Sequence, residues 1–266
     1  MMRSIRAEFR KLKGSRVPVW TALAVVAYST LPIAGGFAWE RLDATTAFSK
    51  VGGAWLEAAE RGYYLPTWEN LLRQNVQAIA GGVALLLFGF VTAYVFGRER
   101  KEGTDATLLT APVARWKIGA AKLVVVAAWV LALTVFWFAL QTVGFAIFSP
   151  SGFEWRLIWK SLGQTLTAAV LVFAMLPLVG FVALLGKPGY LKPMIMAIVL
   201  EPTFPAVSTD KAHLVPMTMP VLIGGAAWLP IVDDRLTGVS WVIAAGVFAV
   251  GVVALMWKLG RTSDAV

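Results

Sequence analysis

Two apolar runs of nearly membrane length enclose the longest strongly polar stretch of this sequence. The runs cover residues 79–96 and 123–148, and residues 97–122 between them carry six basic side chains against three acidic ones. A transmembrane helix needs about 20 mostly apolar residues, and basic loops between such helices stay on the cytoplasmic side. The pattern therefore predicts two membrane spans joined by a cytoplasmic loop.

The composition agrees with a membrane protein. Hydrophobic residues make up 58% of the 266 residues, whereas a soluble domain averages about 45–50%. The net charge of +9 is also compatible with nucleic-acid binding, but the basic residues cluster at the ends of apolar segments. We therefore expect contacts with membrane lipids and none with nucleic acid. The absence of cysteine excludes disulfides and thiolate metal sites.

The chain is predicted to be an all-α integral membrane protein with one transmembrane domain over residues 1–266. About six segments are expected to span the membrane, at residues 17–39, 75–96, 123–148, 161–185, 193–208 and 239–257. Residues 209–236 are predicted to form an external re-entrant region, because prolines and glycines break the apolar run at 214–232.

The first sixteen residues are predicted to form an amphipathic helix on the membrane surface. Ile5, Phe9 and Leu12 recur there at helical spacing among basic residues, which favours binding to an anionic leaflet. With both termini cytoplasmic, sixteen of the 24 basic residues fall in cytoplasmic segments and eight in external ones. This bias supports a multi-pass protein of the cell membrane with both ends inside.

The polar stretch contains an ordered set of short motifs. Residues 99–104 read ERKEGT, and Leu108-Leu109, Pro112-Val113-x-Arg115 and Lys122-Leu123 follow. Thr104 or Asp105 could cap a short helix at residues 106–110 that stops before Pro112. The order, the spacing and the position between the second and third spans resemble the first cytoplasmic loop of type-2 ABC exporter permeases.

This resemblance implies a function and a set of partners. Residues 98–117 would hold a coupling helix that rests on a separate ATPase subunit, and a second permease subunit would complete the transport pathway. The amphipathic N-terminal helix and a re-entrant pair before the last span also occur in that family. Residues 63–73 further resemble bacitracin- and lantibiotic-resistance permeases. The coupling residues implied are Arg98, Glu99, Glu102, Gly103, Thr104, Asp105, Leu108, Leu109, Pro112 and Arg115.

The sequence offers few residues for chemistry. It has no GxxxxGK[ST] phosphate-binding motif, since Gly186-Lys187 is followed by Pro188. We therefore expect no catalysis and no bound cofactor in this chain, with ATP and magnesium held by the partner ATPase. Glu201 is an acid within an apolar segment, a position that often marks a functional site. It could equally lie in water at the outer end of a span, or pair with an arginine.

Trp129 and Trp137 lie inside the third predicted span, where they could line a path for an amphipathic substrate. Packing against lipid or other helices would also explain them. The leading hypothesis is the permease subunit of an ATP-driven exporter of amphipathic or lipid-like molecules, such as an antimicrobial peptide or drug. The alternatives are a secondary transporter driven by an ion gradient through Glu201 and the broken helices, and a non-transporting membrane anchor or sensor.

Overall fold

The computed structural model describes residues 2–41, 67–80, 83–104, 114–147, 152–185, 189–200, 211–223 and 236–261. Within these ranges there are helices and turns and no β-strand, which confirms the all-α prediction. In chain order the helices are α1 Met2–Lys13, α2 Val17–Arg41, α3 Trp68–Ala80, α4 Val83–Lys101, α5 Arg115–Ala146, α6 Trp155–Ala183, α7 Leu191–Val199, α8 Met219–Ile223 and α9 Gly238–Arg261.

Four helical stretches in the described residues are long and apolar enough to cross a bilayer. They are Trp68–Lys101, which includes α3 and α4, then Arg115–Ala146, Trp155–Ala183 and Gly238–Arg261, and a shorter apolar helix covers Val17–Thr30. The predicted fifth span at 193–208 is represented by α7, whose nine residues extend about 14 Å. Residues 201–210 lie outside the described part, so the count of six spans stays a prediction.

The helices extend beyond the apolar segments predicted as spans. The second predicted span covers 75–96, but α3 starts at Trp68 and α4 ends at Lys101; α5 starts at Arg115 rather than at 123. Hydropathy marks the part of a helix that lies in lipid, whereas hydrogen bonding and capping decide where the helix ends. As a result, charged residues assigned to the loop lie on helices.

Helix α6 is the centre of the bundle and packs against α3, α4, α5, α7, α8 and α9. Its buried face includes the small residues Ala168, Ala169, Gly180 and Ala183, which allow close approach of helices in a membrane. Three hydrophobic clusters of buried residues include side chains of this helix, and the two larger ones are described here. The central core joins helices α1 to α6 and α9, and the far-end cluster comprises Trp68, Leu71, Leu72, Phe138, Phe145 and Ile158.

Charged residues gather at the opposite end of the bundle, which we call the charged end. It consists of α1, the last turn of α4, the first turns of α5 and the last turn of α9. Tyr190 also lies there, since Lys101 Nζ is 4.4 Å from its ring centroid. Because α9 starts at the far end and finishes at the charged end, the chain passes from one end of the bundle to the other between Tyr190 and Gly238.

Helix α1 has a polar residue on its buried face. Glu8 and Leu12 are buried, whereas Phe9, predicted to belong to the apolar stripe, is 38% exposed. The helix packs mainly against α5, and Glu8 turns inward because it has a charged partner there, as described below. Its position on a membrane surface stays a prediction, and the exposed Phe9 remains available for it.

Candidate functional site

Gly103 and Thr104 terminate α4 at the charged end. Gly103 has a left-handed backbone with φ of 68°. The backbone N–H of Thr104 donates to the carbonyl of Glu99 at 2.9 Å, and that of Gly103 donates to the carbonyl of Arg100 at 3.4 Å. These two bonds define a Schellman motif, which satisfies the last carbonyl groups of a helix and favours glycine at the left-handed position. The Gly-Thr pair therefore has a structural role that its motif context did not reveal.

Glu99 lies on α4 rather than in an exposed loop, and it is buried. Its Oε2 is 2.5 Å from Nζ of Lys122, a residue two turns into α5. The side chains of Glu99 and Lys122 are 8% and 3% exposed. Lys122 Nζ also donates to the carbonyl of Val95 at 2.6 Å. A buried charge requires such a partner, so this pair holds α4 and α5 together beside the loop.

Lys11 connects the N-terminal helix to the same carboxylate. Its Nζ donates to Glu99 Oε1 at 3.1 Å and to Glu8 Oε1 at 2.6 Å. Burial acts to lower the pKa of Lys11, but the hydrogen bond and charge of Glu8, together with those of Glu99, raise it above its ordinary value. Glu8, Lys11, Glu99 and Lys122 form a neutral set of two acids and two bases, which we call the charge cluster.

Arg98 makes a second connection between α4 and α1. Its Nη1 donates to the carbonyl of Lys11 at 3.0 Å, and its Nε donates to both carboxylate oxygens of Glu102 at 3.0 and 3.2 Å. Arg98 and Glu102 are among the coupling residues that the resemblance implies. In the described residues they pair with each other along α4 and with the end of α1.

The neighbouring basic residues fasten α4 to the ends of α6 and α7. Arg100 Nη1 donates to the carbonyl of Leu184 at 2.5 Å, just after α6 ends. The ammonium group of Lys101 lies over the ring of Tyr190, immediately before α7. Burial raises the pKa of the Tyr190 hydroxyl, and the nearby Tyr94 and Glu102 add to this rise. Successive side chains of the last turn of α4 therefore contact several different elements.

Arg115 fixes the other side of the loop. It is the first residue of α5, and its Nη1 donates to the carbonyls of Gly260 at 2.8 Å and Leu259 at 3.4 Å, in the last turn of α9. A cation next to the carbonyl end of a helix interacts favourably with the helix dipole. Both ends of the loop, which we call its roots, are thus tied to other helices: the end of α4 is tied to α1 and α5 through Glu99, and the start of α5 is tied to α9 through Arg115.

The remaining predicted coupling residues lie between these roots. Asp105, Leu108, Leu109 and Pro112 fall in residues 105–113, outside the described part of the chain, as does the predicted short helix. The same holds for Glu201. Their proposed roles stay predictions, whereas the structure brings Arg98, Glu99, Glu102, Gly103 and Thr104 together at one root and places Arg115 at the other.

The two tryptophans named as substrate-path candidates have different environments. Trp129 is half-buried and its Nε1 donates to Thr21 Oγ1 at 3.3 Å, across to α2. Trp137 is 3% exposed and belongs to the central core, with its ring centroid 5.1 Å from that of Tyr28. Trp137 lines a cavity between α2, α3, α4 and α5. It therefore faces the interior of the bundle and not the surrounding lipid.

Sequence reasoning missed three members of the charge cluster as site residues, namely Glu8, Lys11 and Lys122. The i, i+3 spacing of Glu8 and Lys11 was a visible signal for a local ion pair. Lys122 stood within the recognised motif but was counted as an ordinary loop cation. No pattern in the sequence predicted that Glu99 would join these groups over 88 positions.

Metal binding has no support in the described ranges, where no three or more histidine, cysteine, aspartate or glutamate side chains come together. The site instead provides a mechanical connection. One buried carboxylate joins α1, α4 and α5, and arginines join the same region to the ends of α6 and α9. Such an arrangement can transmit a displacement of the loop to several helices.

Comparison with known proteins gives two findings. A family model described as ABC-2 family transporter protein matches residues 4–202. The bacitracin transport permease protein BCRB of Bacillus licheniformis is 27% identical over 149 residues, which cover 56% of this chain and 71% of that protein. No solved structure matches the chain significantly.

Proposed function

The chain belongs to the ABC-2 family of transporter proteins, and from that premise we propose that it is the permease subunit of an ATP-driven exporter. Two permease subunits, identical or different, would form the pathway, and two separate ATPase subunits would dock at the charged end, on the cytoplasmic side. The charge cluster is the observation that carries this proposal, because it ties α1, α4 and α5 together beside the loop.

The mechanism follows from the way the loop is held. Closure of the ATPase subunits on ATP would push residues 104–109. At one root, the displacement passes through the Gly103 cap to α4, and through Glu99 to Lys122 on α5 and Lys11 on α1. At the other root, Arg115 passes it to α9. Because packed helices shift as rigid bodies rather than deform, the bundle would rock and turn its interior outward.

The proposed substrate is amphipathic or lipid-like. The relative named for bacitracin transport makes a bacitracin-like peptide the first compound to test. The cavity beside Trp137 is bounded mainly by apolar side chains, which suits such a molecule better than a small ion. Trp137 is the stronger of the two tryptophan candidates, because it lines this cavity, whereas Trp129 does not and its indole N–H donates to Thr21.

The proposal is tested by affinity purification of the tagged chain in mild detergent, followed by an ATPase assay. We expect an ATPase to co-purify at about equal stoichiometry, and its activity to rise with substrate. Replacing both Leu108 and Leu109 with alanine should abolish the association or the stimulation without preventing membrane insertion. Glu69→Gln is the matched control, because Glu69 belongs to an exposed ion pair with Arg73 at the far end.

Each alternative function gives its own result. Full association and stimulation in the double alanine variant would refute coupling through the loop. Transport that does not depend on ATP but depends on a proton or sodium gradient, with no ATPase in the purified sample, would favour a secondary transporter. Glu201 would then be the residue to change. An ATPase that binds but never responds to substrate would favour an anchor or sensor.

A further inference from the structure

The exposed side of α1 carries a row of cations, which we call the basic stripe. It consists of the exposed residues Arg3, Arg6, Arg10 and Lys13. At 3.6 residues per turn these positions fall within an arc of about 80° around the helix axis. Within the part of the chain that the structure describes, none of the four forms an ion pair. The stripe is therefore available to an anionic partner outside the chain.

The opposite side of α1 is attached to the end of α4. Lys11 Nζ is 3.1 Å from Glu99 Oε1, and Arg98 Nη1 donates to the carbonyl of Lys11 at 3.0 Å. The backbone carbonyl of Glu99 also accepts the N–H of Thr104 at 2.9 Å, which is one of the two bonds of the α4 cap. A single short helix thus has free cations on one side and a connection to the root of the loop on the other.

The surroundings of α1 indicate a membrane surface as the partner of the stripe. Helix α2 begins four residues after α1 ends, and its first exposed side chains, Val19 and Trp20, are apolar and suit the lipid boundary. On α1 itself, Met2 is 70% and Phe9 is 38% exposed. Exposed apolar side chains beside cations are typical of a helix that lies among lipid headgroups. An acidic protein surface would match the charges but not these apolar neighbours.

We propose that the basic stripe binds anionic phospholipid headgroups of the leaflet beside the charged end, and that this binding regulates the root of the loop at the end of α4. Headgroups attract each cation of the stripe and so restrict the movement of α1. Lys11 passes the restraint to the carboxylate of Glu99, and the carbonyl of Glu99 passes it to the cap at Thr104. The charge of the lipid thus sets how easily this root moves. The inference rests on the proposed function only for its effect on transport.

Hydrogen–deuterium exchange of the purified full chain tests this connection in two kinds of lipid nanodisc. One kind contains phosphatidylcholine alone, and the other contains an equal mixture of phosphatidylcholine and phosphatidylglycerol. We expect the anionic lipid to slow exchange in α1 and in peptides that cover the end of α4, since exchange reports local opening of the backbone. At the end of α4 the expected slowing is about fivefold, the lower limit of the usual coupling between two sites.

Two double variants separate binding at the stripe from a general effect of charge. Arg6→Gln with Arg10→Gln removes half of the stripe and should reduce the slowing both in α1 and at the end of α4. Arg156→Gln with Lys160→Gln is the matched control, because it removes the same charge from exposed positions at the far end. The control should leave both effects unchanged.

A third double variant tests the connection between α1 and α4. Glu8→Gln with Lys11→Met removes the ion pair of Lys11 with Glu99, yet it keeps the stripe and the net charge. Glu99 stays paired with Lys122 at 2.5 Å, so no buried charge loses its last partner. Anionic lipid should still slow exchange in α1 of this variant. Its effect at the end of α4 should decrease, because only the hydrogen bond from Arg98 still connects the two helices.

Three results would each overturn the proposal: equal exchange at the end of α4 in both lipids, equal losses in the stripe variant and the far-end control, or a full effect at α4 without Glu8 and Lys11. Protection of α1 by a co-purified ATPase in phosphatidylcholine discs, with no effect of phosphatidylglycerol, would overturn it in favour of a protein partner. Because the exchange assay needs neither ATP nor a partner, its failure leaves the exporter proposal standing. Conversely, absence of a co-purified ATPase would refute the exporter proposal without affecting the lipid connection.

Discussion

Replacing Glu99 with glutamine is the most direct test of the charge cluster. The substitution preserves shape but leaves the Lys122 ammonium, 3% exposed and 2.5 Å away, without its counterion. Breaking a buried ion pair from one side typically costs about 3–5 kcal/mol. We expect the lower part of that range, because Lys122 keeps its bond to the Val95 carbonyl. For a chain of this size, about 3 kcal/mol corresponds to a fall of roughly 6–12 °C in the unfolding temperature.

A companion variant removes the Lys122 ammonium, the charge that Glu99→Gln leaves without a counterion. Lys122→Met alone leaves Glu99 with Lys11 as its remaining base, at 3.1 Å. The double variant, Glu99→Gln with Lys122→Met, has no unpaired charge at this contact. Its loss of stability should therefore be smaller than the sum of the two single losses by about 1–3 kcal/mol, a usual coupling energy for neighbouring residues.

The assay is thermal unfolding of the purified protein in one detergent, with all variants scanned at the same rate. Glu102→Gln is the control, since Glu102 is paired with Arg98 but its side chain is 48% exposed. An exposed pair of this kind contributes about 0–1 kcal/mol. Equal effects of Glu99→Gln and Glu102→Gln, or strict additivity in the double variant, would show that the cluster does not hold the helices together.

Three further predictions concern the charged end and the helix packing around it. Gly103→Ala should cost about 1–2 kcal/mol by thermal unfolding, because only the left-handed backbone opposes the change, and Gly103→Asn should cost less. Gly89→Ala should destabilise the protein more than Gly119→Ala, because a Cβ at position 89 would lie 2.9 Å from the rigid Ala197 Cβ. At Gly119 the nearest atoms are the ends of the flexible Met256 and Leu259 side chains, which can move. Thermal unfolding of both variants tests this difference. The folded-state pKa of Lys11 lies above the ordinary value of 10.5, so its stabilisation is complete below that pH and disappears as pH rises through the raised pKa. The difference in unfolding temperature between the wild type and Lys11→Met should therefore stay constant around neutral pH and shrink only in strongly alkaline buffer.

Much of the fold could be predicted from the sequence because lipid imposes simple rules. Long apolar segments must form helices in a membrane, and four of the predicted spans correspond to such helices. The ends of the helices were predicted less well. Hydropathy placed Glu99 in a loop, although α4 continues until Gly103 permits the left-handed cap.

The candidate site was predicted only in part for a related reason. Motif spacing singled out Arg98, Glu99 and Arg115, whose role in coupling stays a prediction, but it carried no information about partners distant in sequence. Glu8 appeared to be a minor acid in a basic helix, and its burial depends on Lys11 and Glu99 lying beside it.

The neutrality of the charge cluster has a consequence for experiments at different ionic strengths. Salt screens exposed charges over a Debye length of about 8 Å under physiological conditions, but it screens buried pairs much less. The exposed arginines of α1 and its half-buried Lys11, which is paired with buried carboxylates, should thus respond differently to added salt. High salt would release the helix from an anionic membrane while Lys11 keeps it fastened to α4, so a salt wash that strips peripheral contacts would leave this helix in place.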